Sequence, residues 1–153
     1  MEESMKITGL VTISVKRANG TEELICKDNP NLLTTAGRDW IHGQVYNAGT
    51  TDEAKYIALS TDSNGSSTAH TSVAGEIVTN GLERAAGTVT HVAGTNSTTI
   101  SNIFTSNGSF TGVQLVGLLT ASSSGTLVHE NTFTPVNLEQ YDQLTISWQL
   151  TLS

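Results

Sequence analysis

Four histidines, His42, His70, His91 and His129, are the residues best suited to acid–base or metal chemistry in this 153-residue chain. No two of them stand two or four residues apart, so no strand or helix presents a ready-made histidine pair to a metal. His129 is followed by Glu130 on an alternating stretch, which directs the two side chains to opposite faces. The set is therefore expected to be surface or edge histidines. Asp62-Ser-Asn-Gly-Ser66 has the texture of a calcium loop, but its glycine stands fourth rather than sixth and Val73 occupies the place of the bidentate glutamate. A plain Asx-type turn is the better reading. Glu83-Arg84 reads as a structural ion pair or a solvated edge. No G-x-S-x-G elbow, dinucleotide fingerprint or P-loop occurs. No residue is assigned a catalytic, cofactor-binding or metal-binding role, and no enzyme activity and no cofactor are expected.

Composition points the same way. Charged residues make up 14% of the chain and aromatics 5%, which leaves few groups to build a site of perturbed titratable side chains. About a quarter of the residues are Thr or Ser, far above ordinary usage. Thr suits pleated surfaces, and Gly, Asn and Ser suit turns. The formal charge is −7, and Lys16-Arg17 is the one basic pair adjacent in sequence. Neither a nucleic acid nor an anionic membrane surface is expected as a partner, since both call for convergent cations. The single cysteine, Cys26, lies in the apolar run Leu24-Ile25-Cys26 and reads as a small core residue. Met1 to Lys6 lacks the apolar region of a signal peptide and reads as a flexible arm ahead of one domain spanning 1–153.

The elements follow from periodicity. Ile7 to Val15 alternates, with Val11, Ile13 and Val15 on one face; Asn19-Gly20 then turns the chain into a second strand at Thr21 to Lys27. Residues 35–46 place Ala36, Trp40, Ile41 and Val45 at helical spacing behind a Thr34 or Thr35 cap. That is one short helix, which Trp40 should pack against the core. Strands are expected at Lys55 to Thr61, Thr88 to Val92, Thr98 to Thr105, Val113 to Thr120, Thr126 to Thr134 and Leu144 to Leu152. Between them, Asp62 to Ser72 reads as a long exposed loop and residues 73–84 as a turn or short helix. Val113 to Thr120 is almost wholly apolar and suits a central strand covered on both sides. The fold class is all-β with one short helix: an antiparallel β-sandwich or jelly-roll-like barrel.

The order of the motifs carries a further implication. After the N-terminal hairpin come NPNLLTTAGRDWI (Asn29 to Ile41), KYIALST (Lys55 to Thr61), LER (Leu82 to Arg84), TISNIFTSNGSFTGVQLVGLLT (Thr99 to Thr120) and GTLVHENTFTPVNLEQYDQLTISWQLTLS (Gly125 to Ser153). This series resembles small structural proteins of the virions of tailed bacteriophages, over nearly the whole chain. The resemblance implies a capsid decoration (cement) protein, a homotrimer made in the host cytoplasm and located in the virion. Its partners would be the major capsid protein and copies of itself. The alternative it implies is a tail, baseplate or head-fibre component that contacts the host, with Asp62 to Ser72 as the recognition loop. The closing strand, with Ile146, Trp148 and Leu150 inward and Thr145, Ser147 and Gln149 outward, is expected to be an edge strand free to pair with a neighbouring chain.

Overall fold

The computed structural model describes residues 4–47 and 52–153. Its strands run in the order β1 (Ile7–Lys16), β2 (Glu22–Pro30), β3 (Leu32–Leu33), β4 (Tyr56–Ser60), β5 (Ala85–Ala86), β6 (Thr88–His91), β7 (Ser97–Thr105), β8 (Phe110–Leu119), β9 (Leu127–Leu138) and β10 (Gln143–Leu152). The helix α1 (Thr35–Tyr46) follows β3. Two five-stranded antiparallel sheets pack face to face, one in the order β2-β1-β10-β7-β6 and the other β3-β9-β8-β4-β5. This is the all-β sandwich that the alternating pattern predicts.

The first sheet joins the two ends of the chain. β1 pairs with β10 along its whole length, from Ile7↔Leu152 to Lys16↔Gln143, and β10 pairs on its other side with β7. The closing strand is therefore the middle of the sheet and not an edge: the edges are β2 and β6. Alternation alone could not reveal this, because a half-buried central strand and a half-buried edge strand share one period. The N-terminal residues are likewise held. The Lys6 N–H donates to the Ser153 carbonyl and the Ser153 N–H to the Lys6 carbonyl, so the expected arm is already paired at Lys6; its residues 1–3 lie outside the described ones.

Alternation decides which side chains make the core. Val11, Ile13 and Val15 of β1 lie beside Leu144, Ile146 and Trp148 of β10, all buried, and Ile100 and Phe104 of β7 extend the layer. Ile57, Leu59, Val116, Leu118, Phe133 and Val136 face them from the second sheet. β8 also buries the opposite face: Leu115 and Leu119 form a smaller cluster with Ala58, Leu127 and Val73. Val73 comes from the long connection between β4 and β5, which lies across the outside of the second sheet. Gly117 makes this possible, since a Cβ there would collide with the Val73 side chain. The near-continuous apolar run of β8 thus has its cause in two covered faces.

The helix forms where its spacing predicts. The Thr34 hydroxyl accepts from the Gly37 N–H (2.9 Å) as an N-cap and donates to the Leu127 carbonyl. Gly37, an unfavourable residue inside a helix, is there for contact: a Cβ would run into the backbone of Val128. Trp40 is only half-buried, contrary to expectation, because α1 covers an end of the sandwich rather than entering it. Cys26 is also half-buried, packed against the rim of the core.

The two tryptophans should therefore differ in mutational cost. Trp148→Ala removes a fully enclosed side chain and should lower unfolding stability by roughly 3–5 kcal/mol, whereas Trp40→Ala should cost clearly less. Urea denaturation of the two variants checks this; equal losses would contradict it.

Candidate interaction surface

The residues with chemical potential are spent mostly on holding loops to sheets. Glu130 is fully buried. Its Oε2 accepts from the Ser67 N–H (3.0 Å) and from Nδ1 of His70 (2.7 Å), while Oε1 has no partner. His70 is partly exposed and belongs to the Asp62 to Ser72 stretch. That loop is therefore tied to β9 by a buried carboxylate rather than lying free. Its first turn is of the Asx kind, with the Asn64 N–H donating to Asp62 Oδ1 (2.8 Å).

His129 corrects the expectation of surface histidines. It is buried, with its ring 6.2 Å from that of Trp148, and Nδ1 lacks a partner. Burial pushes its pKa down to about 4, against a hydrogen bond to the Leu32 backbone that acts the other way. His129 and Glu130 do point to opposite faces, His129 toward the core and Glu130 toward the loop, yet both are enclosed. His91 sits on the exposed β6–β7 hairpin, where Nδ1 lies 2.9 Å from the Ser97 carbonyl oxygen. His42 is exposed on α1.

Arg84 pairs with Glu76 and not with its neighbour Glu83. Its Nε and Nη2 hold the two carboxylate oxygens of Glu76 at 2.7 and 2.5 Å, and Nη1 donates to the Ala121 and Ser124 carbonyls at 3.0 and 2.8 Å. This fork binds the β4–β5 connection to the serine-rich β8–β9 turn. Arg17 does the same at the other end, donating to Asp142 and Glu23, both at 2.9 Å. Burial pushes the Asp142 carboxyl up, but the Glu139 N–H, Arg17 and the Ala18 N–H together hold it below its ordinary value. Among the described residues, no three His, Cys, Asp or Glu come together in a way that could hold a metal ion.

What remains open is the outside of the first sheet. Register places its outward residues in lateral rows: Leu10, Gln149, Thr99 and Thr90; then Thr12, Ser147, Ser101 and Thr88; then Leu24, Ser14, Thr145 and Ile103. None of these twelve carries a formal charge, on a chain of net charge −7; one carboxylate, that of the exposed Asp28 on β2, adjoins the second row through its hydrogen bonds with Thr12. Leu24 and Ile103, both about 60% exposed, stand on either side of a polar floor made by Ser14 and Thr145. Lys16, Glu22 and Glu23 border the face at one end.

No family model, no curated protein and no solved structure matches the chain.

The surface must therefore be read from its own chemistry. Its signal in the sequence is the Thr/Ser alternation of β1, β7 and β10; what periodicity lacks is that these three strands are neighbours. The Glu130–His70 contact left no local signal, because sixty positions separate the partners. No helix among the described residues is long and apolar enough to cross a membrane.

Two outcomes are expected. Between about pH 4 and 6.5 the unfolded chain holds a proton at residue 129 that the folded chain does not. Stability should be full above that window and fall by up to about 3 kcal/mol as pH drops through it. Urea midpoints taken across this range should lose that slope in His129→Phe; an unchanged slope would contradict the buried neutral ring. His70→Ala leaves Glu130 with the Ser67 N–H alone and should cost about 1–3 kcal/mol, with faster proteolysis inside residues 62–72.

Proposed function

We propose that this chain is a structural component of a bacteriophage particle, a capsid decoration protein that binds the outside of the shell and bridges neighbouring subunits of the major capsid protein. The resemblance of its ordered motifs supplies the particle. The hydroxyl-rich outer face of the first sheet, whose three central rows on β1, β10 and β7 hold no charged residue, is the observation that carries the reading. A sheet face with three lateral rows of hydroxyls, amide and isolated aliphatic groups suits a broad contact made by many weak hydrogen bonds and shape, not a reaction at one point. Its rigidity comes from the buried layer of Leu144, Ile146 and Trp148 directly beneath.

The mechanism would be mass action. Copies that bind only the assembled lattice stabilise it by the free energy of binding, with no bond made or broken. A homotrimer would multiply that effect by holding three such faces at once. Asp28 stands at the β2 end of the middle row, bonded to Thr12, and the net negative charge of the chain keeps unbound copies apart in solution. The tail or baseplate alternative would rely on residues 62–72. The two hydrogen bonds from that stretch to Glu130 make it part of the packed body, which supports the decoration reading over it.

Quantitative mass spectrometry of purified virions tests the proposal. A copy number comparable with that of the major capsid protein is expected. A handful of copies per particle would overturn the decoration reading and place the chain in a tail or vertex. The surface is tested separately: Ser147→Glu with Ile103→Glu should fold normally but fail to bind shells in a co-sedimentation assay, and undiminished binding would rule out this face.

A further inference from the structure

Among the described residues the two sheets end on four edge strands, β2, β6, β3 and β5. Charges, prolines, bulges and short length are the features that keep an edge from pairing with another chain. β2 carries Glu22, Glu23, Lys27 and Asp28, ends in Pro30 and shifts register twice against β1. β3 and β5 are two residues long. β6 has neither charge nor proline nor bulge. Its residues Thr88–His91 keep an unbroken register against β7, and all four are exposed. Among the described residues, no backbone hydrogen bond outside the β6–β7 ladder reaches them. A row of N–H and C=O groups therefore faces outward without a protein partner.

Charge is absent from this side over a long stretch. No Asp, Glu, Lys or Arg stands between Arg84 and Glu130, a span that holds β5 to β8. Lys55, whose carbonyl accepts from the Gly87 N–H just before β6, has its ammonium paired with Glu53 at 2.8 Å. Val89 and Val92 add apolar surface, 47% and 63% exposed. The net charge of −7 keeps copies of the chain apart at their other sides and acts least where neither copy is charged. A foreign strand would find no charge here to select it. A second copy brings the same uncharged edge.

We propose that β6 is a self-pairing edge: two copies join antiparallel, β6 to β6, about a two-fold axis perpendicular to the first sheet. That axis keeps outward side chains outward, so Thr88 and Thr90 of one copy lie opposite outward residues of the other. Two five-stranded sheets become one continuous sheet, and the lateral rows that end at Thr90 and Thr88 run on into the partner. A seam of four residues is short, which makes the contact weak and reversible. The assembly is a dimer, unlike the trimer that the resemblance implies, and it stands or falls apart from the particle role.

Sedimentation equilibrium of the full chain over a range of concentrations should show a reversible monomer–dimer equilibrium. Dilution should shift the amide resonances of residues 88–91 in nuclear magnetic resonance spectra. Thr90→Glu sets carboxylates of both copies along the seam, and Val92→Glu does so where the chain leaves β6. Each should keep the parent circular dichroism spectrum and weaken dimerisation by about fivefold or more. Ser147→Glu adds the same charge to the same face, but on the central strand β10, and should leave the dimer intact; loss of shell binding and loss of the dimer are thereby told apart. A monomer at every concentration up to about 1 mM, a dimer that ignores both edge variants, or a trimer would each overturn the proposal.

Discussion

The pairing of β10 with both β1 and β7 is the constraint on which the rest of the structure depends. β10 fills the centre of one sheet, so β1 and β7 are joined only through residues 143–152. Its inward side chains, Leu144, Ile146 and Trp148, are wholly enclosed. Its outward ones, Thr145, Ser147 and Gln149, form the middle column of the uncharged face. One strand therefore supplies the deepest part of the core and the candidate contact surface above it. The β1–β10 register joins residues more than 120 positions apart, which makes it an entropically costly contact to close. The β1–β2 hairpin, with its Asn19-Gly20 turn, is local.

Charge in this protein is mainly a fastening for loops. Arg17 joins the β1–β2 turn to the β9–β10 turn through Asp142. Arg84 joins the β4–β5 connection to the β8–β9 turn. Glu130 holds the stretch around Ser67 and His70 against β9. Each arrangement ties down a segment that lacks strand pairing, and each gives the charged group at least two hydrogen-bond partners. Such sites would be costly to bury unpaired. Their positions leave the central rows free of formal charge on β1, β10 and β7.

Much of the fold was legible in the sequence, for identifiable reasons. Period-two alternation in β1 and β10, the apolar run of β8, and the Thr34 cap ahead of Trp40 and Ile41 each report a local environment, and each stands where the pattern puts it. Strand order was not legible. The TISWQLTLS ending shows which side chains face inward but not whether one neighbour or two flank the backbone. His129 looked like a surface or edge residue because polar types usually are. Its burial and that of Glu130 follow from Trp148 on one side and the His70 loop on the other, and His70 is distant in sequence. Gly37 and Gly117 are points of close approach, to Val128 and Val73, which the sequence does not show. The outer face was half legible: its hydroxyl composition was plain, its continuity across four strands was not.

Native-state hydrogen exchange of β10 tests this account most directly. If β10 is the central strand, the amides of Ile146 to Leu150 should exchange only through global unfolding, with protection equal to the stability measured by denaturation, while those of β6 exchange much sooner. Amides in β10 that exchange as readily as those of β6 would contradict the account, returning the closing strand to an edge and removing the middle of the proposed contact face.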